Sequence, residues 1–313
     1  MAAEMTEHRQ AAQVEQLLRW LKEADASRGR HKPLLCVGRD GISLKLRCRG
    51  ECPFEVASTA TVSVLDRRGK RLGTVYLGYT PESYQKRMSG SLTSLLEDVL
   101  RGWEGSLPRM GYITDAGDNE IAYYEKTLKE MVHPRTQERL VWIRVLDYYH
   151  ASERIWSMAE ALFGVGGGTS WAKKMLKWLL KPSGANRVLH SAAAIRARTQ
   201  LGEKAGSSYD TAYNYLRSRM AEMDYAEYRQ VGLPCGSGVT EAACKTVYTQ
   251  RLKLSGMHWE KTGAQVILDL RVPQLSGVWN AVYNRMLAGR KQPHVWGKWG
   301  KCHSTQNLTQ IAT

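Results

Sequence analysis

The chain has 313 residues, with 45 Lys and Arg against 30 Asp and Glu and a formal net charge of +15. Its 43% hydrophobic and 24% charged content is that of a globular domain, and without an apolar run of about eighteen residues it offers no transmembrane helix. A pI near 9.6 argues for a polyanionic partner, nucleic acid foremost, and the charge-studded start of the chain is not a secretory signal, so a cytoplasmic protein is expected.

Residues 5–27 read as a helix, with Val14, Leu17, Leu18 and Leu21 on its apolar side. "KPLLCVGRDG" is a short apolar run closed by Asp-Gly, and "ISLKLRC" alternates apolar and polar as a strand does. "FEVASTATVSVLDRRGKRLGTVYLGY" reads as a hairpin turning at Asp66–Lys70, and Pro81 marks the entry to a helix over about 83–104. "MGYITD" is the next strand, "NEIAYYEKTLKEMV" a helix, "RLVWIRVLD" a strand and "YYHASERIWSMAEALFG" a helix. The first three strands form an antiparallel meander. The later ones alternate with helices and should be parallel.

After Gly164 the pattern changes. "GVGGG" is a break, and residues 170–230 are helical in period and rich in Trp, Lys, Arg and Tyr. A second break, "GLPCGSGV", precedes the helix "TEAACKTVYTQRLKLSG" and one or two more helices. The expected layout is an N-terminal helix (1–33), a strand–helix core (34–164), a helical segment (165–235), C-terminal helices (236–290) and a basic, poorly ordered tail (291–313). Of the six cysteines only Cys48 and Cys52 are close in sequence. With no second Cys/His pair at zinc-finger spacing, reduced thiols are expected.

Three acids draw attention because each sits next to a chain reversal. Asp40 precedes Gly41 after an apolar run, which on its own suggests a β-turn. Asp115 follows a strand and suggests a helix cap. Glu241 opens a helix, where the dipole favours an acid. If the first and fourth strands lie side by side, however, Asp40 and Asp115 converge, and a glutamate on a helix packed against the sheet supplies a third carboxylate. Three such groups repel unless cations neutralise them. Oxygen-only ligands suit Mg2+ or Mn2+, and two such ions about 4 Å apart clamp both oxygens of a phosphodiester displacement. A basic remainder would hold the nucleic-acid backbone.

The blocks "GRDG", "YITDAGDNEIAYY", "VLDYYHASERIW" and "GSGVTEAACKTVYTQRLKLSGMHW" resemble, in the same order, those of bacterial insertion-sequence transposases of the DDE class, in the Kra4-type group related to Mutator-like transposases. The resemblance spans roughly 34–290, and its last block is the most specific. It implies an α/β, RNase H-like fold: a mixed five-stranded sheet with flanking helices and an all-helical insertion. It also implies metal-dependent cleavage and strand transfer, two Mg2+ or Mn2+ ions, and action as a homo-oligomer on transposon ends and target DNA. Carried over to this chain, Asp40, Asp115 and Glu241 are the catalytic metal ligands, with Asp118 the rival for the second position. Asp147 and His150, at i and i+3, match a signature near the site. Arg251 and Lys253 would grip phosphates, and Trp259 would stack on an unpaired base or else belong to the core. Only the N-terminal helix precedes Asp40, where the family carries a DNA-recognition region. Two rivals remain at this point: a nuclease that only hydrolyses, and an inactive or truncated remnant that only binds DNA.

Overall fold

The computed structural model describes residues 2–47 and 54–289. Cys48, Cys52, Cys302, His303 and the basic tail lie outside the described residues. Five strands, β1 (Leu34–Lys45), β2 (Phe54–Leu65), β3 (Arg71–Tyr79), β4 (Arg109–Thr114) and β5 (Trp142–Leu146), form one sheet in the order β3-β2-β1-β4-β5. β1, β2 and β3 pair antiparallel, whereas β1–β4 and β4–β5 are parallel. The chain is therefore α/β with a mixed five-stranded sheet, as the pattern of elements suggested.

The reversal from β2 to β3 is set by Asp66, whose carboxylate accepts the N–H groups of Arg68 and Lys70 at 2.8 Å each, with Gly69 in the left-handed region at φ 80°. Parallel pairing needs a crossover, supplied by α2 (Lys86–Gly102) before β4 and by α3 (Asp118–Tyr123) before β5. α3 continues into a π-helical turn, Tyr124–Leu128. α2 starts later than the period suggests, because Tyr84 and Gln85 are left-handed. The Glu82 carboxylate then accepts the N–H groups of Arg87 and Met88 at 3.1 and 2.9 Å.

Helices cover both faces of the sheet. Leu35, Val37, Val62 and Val75 pack against Leu17 and Leu21 of α1 (Ala2–Ala26) and Leu92 and Leu96 of α2. On the other face Leu34, Ile113 and Val145 meet α4 (Tyr148–Phe163), α5 (Thr169–Leu179), α6 (Gly184–Arg196), α7 (Glu203–Ser218) and α8 (Tyr225–Gln230). Among the described residues the stretch from Thr169 to Gln230 holds helices alone.

A third cluster joins Leu44, Leu46 and Ala57 to the chain's last helices. These are α9 (Gly238–Ala243), running through a π-helical turn (Cys244–Thr249) into α10 (Gln250–Leu252), and then α11 (Lys261–Leu275), whereas Val282 and Met286 of α12 (Trp279–Gly289) pack on Met5 and Ala12 of α1. The buried Tyr248 hydroxyl pins this run to the sheet. It donates to the Ser58 carbonyl and accepts the Tyr79 N–H at 3.0 Å.

One local expectation is corrected. Asp40–Gly41 is not a turn: β1 runs through it unbroken, with Asp40 opposite Thr59 and Gly41 opposite Ser58. A side chain at Gly41 would come within 2.8 Å of Val56 Cγ1, so its absence lets the strands stay paired.

Tyr248→Phe removes a fully buried acceptor and leaves the Tyr79 N–H without its partner. The expected cost is about 1–3 kcal/mol in urea unfolding. An unchanged midpoint would show that the hydroxyl does not hold the C-terminal helices to the sheet.

Candidate active site

The parallel pairing of β1 and β4 sets Gly38 beside Ile113. Carrying that register two residues further puts Asp40 beside Asp115. Asp40 lies mid-strand and half-buried, on the same face as Gly38. Asp115 follows the last residue of β4, where Ala116 turns away at φ 57°. Its Oδ1 accepts the Gly117 N–H at 3.0 Å. α7 braces this turn from outside: the Tyr215 hydroxyl donates to the Asp115 carbonyl at 2.5 Å and Arg219 Nη2 to the Ala116 carbonyl at 3.2 Å. The guanidinium groups of Arg219 and Arg154 lie over the Tyr215 ring, 4.1 and 4.6 Å from its centre.

Two features bring in Glu241. The first is Gly38, where any side chain would overlap the Thr240 hydroxyl. Its absence lets α9 lie directly on β1, and Thr240 bonds Thr61 of β2 at 2.8 Å. The second is Asp147, fully buried at the end of β5. Its Oδ1 caps α4 by accepting the N–H groups of Tyr149 and His150 at 2.6 and 3.1 Å, and its Oδ2 accepts the Ser237 N–H. Ser237 in turn donates its hydroxyl to Glu241 Oε1 at 3.1 Å. The carboxylate of Asp147 thus ties the strand that ends beside Asp115 to the helix that carries Glu241.

One side chain registers all three acids. The Cys244 thiol, one turn after Glu241, donates to Asp40 Oδ2 at 3.2 Å. Burial pushes its pKa up, and the charges of Asp40, Glu241 and Asp115 push it further. It is therefore a neutral donor rather than a nucleophile. Asp40 is itself pushed up by burial and by the charge of Asp115, against the opposing effects of its Cys244 and Gly41 hydrogen bonds and of His150. His150 is half-exposed, with Nδ1 at 3.3 Å from Glu153 Oε2. Atoms of Asp147, His150 and Glu241 that can bind a metal lie within 4.8 Å of one another. Asp147 Oδ1 already accepts two hydrogen bonds, whereas its Oδ2 and the Glu241 Oε1 each accept one, so Asp147 positions these elements and keeps one acceptor site on Oδ2.

Asp118 is exposed at the first position of α3 and is not among the charges acting on Asp40 or Cys244. Arg251 and Lys253 are exposed beyond α9. Trp259 packs on the cluster around Leu44 and Leu46, its backbone bridges Leu46, and its Nε1 is buried without a partner.

A fourth acid, Glu120, lies in the same sequence block as Asp115 and Asp118 but was not among the expected ligands. It is only 6% exposed, and its Oε1 has no hydrogen-bond partner. Burial raises its pKa, Arg39 opposes this, and Asp115 and Asp40 add to it. A Cβ at Gly117 would sit 2.6 Å from Glu120 Oε2 and 3.4 Å from Asp115 Oδ1, so the glycine keeps an open cradle between the two carboxylates. The spacing of Glu120 and Tyr123, i and i+3, puts the acid on the buried face of α3 and was the available signal. Among the described residues the one group whose ligand atoms lie close enough together to hold a metal ion is Asp147, His150 and Glu241, a mixed carboxylate–imidazole set that does not by itself select the ion.

Comparison with protein-family models and with curated proteins gave no match to this chain.

Two outcomes follow from this geometry. Asp147→Ala removes a helix cap and strands the buried Ser237 N–H, so stability should fall by about 2–4 kcal/mol by denaturant unfolding. A loss below about 0.5 kcal/mol would mean that Asp147 is not the tie. Asp40 has a raised folded pKa, so without divalent ions its contribution to stability is lost as pH rises from the ordinary Asp range through the folded value. Asp40→Asn should therefore raise Tm at neutral pH and flatten the acid-to-neutral stability profile. A lower Tm would contradict the desolvated anion.

Proposed function

We propose that this chain is the catalytic part of a DDE-class transposase on an RNase H-like fold, cutting transposon-end DNA and joining the freed 3′-hydroxyl to target DNA. The observation that carries the reading is geometric: adjacent parallel strands bring Asp40 and Asp115 to neighbouring positions, and the helical run that carries Glu241 packs on β1 closely enough for its Cys244 thiol to donate to Asp40 Oδ2 at 3.2 Å. The strand order β3-β2-β1-β4-β5, with β2 alone antiparallel to both its neighbours, supports the fold assignment. The four sequence blocks support the family, and the basic composition supports a DNA substrate.

In this reading Asp40, Asp115 and Glu241 hold Mg2+ or Mn2+. When bound, these ions offset the carboxylate charges and supply Lewis acidity at the attacking and leaving oxygens of the phosphodiester. The protein's own groups fix the acids. Cys244 and the Gly41 N–H orient Asp40, the Gly117 N–H orients Asp115, and Ser237 orients Glu241. His150, with Nδ1 held by Glu153, has its second ring nitrogen left to take or return a proton at a substrate oxygen. Cleavage breaks the bond from phosphorus to the 3′-oxygen as water adds. Joining repeats the displacement with that 3′-hydroxyl as nucleophile, so one set of carboxylates serves both steps.

Asp40→Asn, Asp115→Asn and Glu241→Gln should each lower nicking of transposon-end DNA by about a thousandfold or more, the scale of losing a principal catalytic group. DNA affinity, dominated by Lys and Arg, should change little. Asp118→Ala should retain nicking. Full activity in EDTA overturns the mechanism, and an inactive Asp118→Ala with an active Asp115→Asn moves the second ligand by three residues. Nicking without strand joining would assign a hydrolytic nuclease.

A further inference from the structure

Between Glu160 and Glu203 the sequence holds seven Lys and Arg residues and no Asp or Glu. Nearly half of the net charge of +15 comes from this stretch. α5 gives it a shape. Ala172, Met175 and Leu179 are buried against the core, while Lys173 and Lys177 form an exposed i, i+4 pair with Lys174 alongside, and Lys181 follows, exposed, in the turn just past the end of the helix. Lys173 and Lys177 are about 6 Å apart along the axis. None of the three forms an ion pair among the described residues.

Solvated helix faces ordinarily interleave both signs, and like charges at i and i+4 destabilise a helix by a few tenths of a kcal/mol per pair. Here no neighbouring acid relieves that repulsion, and a polyanion would. The row also has a defined place. The hydroxyl of Tyr148, the residue after Asp147, donates to the carbonyl of Leu176 at 3.4 Å, so the middle of α5 rests on the turn that carries Asp147 and His150. Lys177 follows Leu176 directly.

We propose that Lys173, Lys177 and Lys181 form a track for the sugar-phosphate backbone of duplex DNA as it leaves the carboxylate centre. The track reads charge and not sequence, because a row of ammonium groups contacts phosphates without reaching base edges. The inference rests on the transposase reading only for why duplex DNA arrives there, and its test is independent of cleavage.

The full chain is titrated with a short mixed-sequence DNA duplex between about 50 and 200 mM salt, the range over which phosphate contacts dominate affinity. The Lys173→Gln, Lys177→Gln, Lys181→Gln triple variant should lower the slope of log affinity against log salt by about 2 to 3, near 0.9 per lost contact, and weaken binding roughly tenfold or more at the low-salt end. The corresponding Lys→Arg triple variant should keep the slope. Melting of the Gln variant should show an equal or higher Tm, since repulsion is removed from an exposed face, so a folding defect is distinguished from lost binding. A matched control, Lys22→Gln, Arg28→Gln and Lys126→Gln, should leave the slope within about 1 of the wild type. An unchanged slope in the α5 variant overturns the proposal. So does an equal fall in the control, or tighter binding of the row to anionic vesicles than to the duplex. A wild type that binds duplex through this row yet never nicks DNA keeps the track and sinks the transposase reading; nicking with an unchanged slope does the reverse.

Discussion

The parallel pairing of β1 with β4 is the constraint on which the site depends. It sets the register that lines up Asp40 with Asp115, and the protein accepts a cost for it. Asp40 is held against its own titration by burial and by its neighbour's charge, and Glu120 lies in the same field with one oxygen unpaired. Like charges gathered in a poorly solvated place are unstable without a counter-charge. The fold offers hydrogen-bond donors, Cys244 and backbone N–H groups, and a buried cation, Arg39, on the opposite side of β1. The arrangement is therefore suited to receiving positive charge from outside.

The third acid arrives from a distant part of the chain, and small side chains and a buried cap bring it in. Gly38 lets α9 touch β1, and Asp147 fastens Ser237, hence Glu241, to the end of β5. The helices from Thr169 to Gln230 are part of the same device, since Tyr215 and Arg219 hold the carbonyls of Asp115 and Ala116. A segment that contributes no carboxylate thus fixes the conformation of one. Both acid-bearing helices, α3 and α9, pass into π-helical turns just beyond Glu120 and Glu241, a local widening often found at functional sites.

The charge distribution separates two tasks. Carboxylates are concentrated where β1, β4 and α9 meet, and the helical segment beside them carries unpaired cations on α5. A strongly basic chain with an acidic centre is consistent on those terms: in the proposed reading the positive exterior would attract a polyanion over a distance set by the screening length, roughly 10 Å at moderate salt. In the same reading the acid cluster is too local to repel the whole backbone and serves a single phosphate.

The periodicity of the sequence by itself determined the α/β class, the hairpin at Asp66–Lys70, the alternation of strands and helices through Phe163 and the helical stretch that follows. These depend on spacing within a few residues, which a sequence carries openly. The nomination of Asp40, Asp115 and Glu241 also came from the chain, through their flanking elements and the block resemblance. Only the tertiary structure decided that Asp40 lies inside a strand rather than in a turn, because Asp-Gly has the same local preference in either setting and pairing with Thr59 and Ser58 settles it. It alone also turned Asp147 into a latch and Cys244 into a hydrogen-bond donor to Asp40. Each of those roles is defined by a partner far away in sequence, and long-range contacts of single side chains leave no period for a sequence to display.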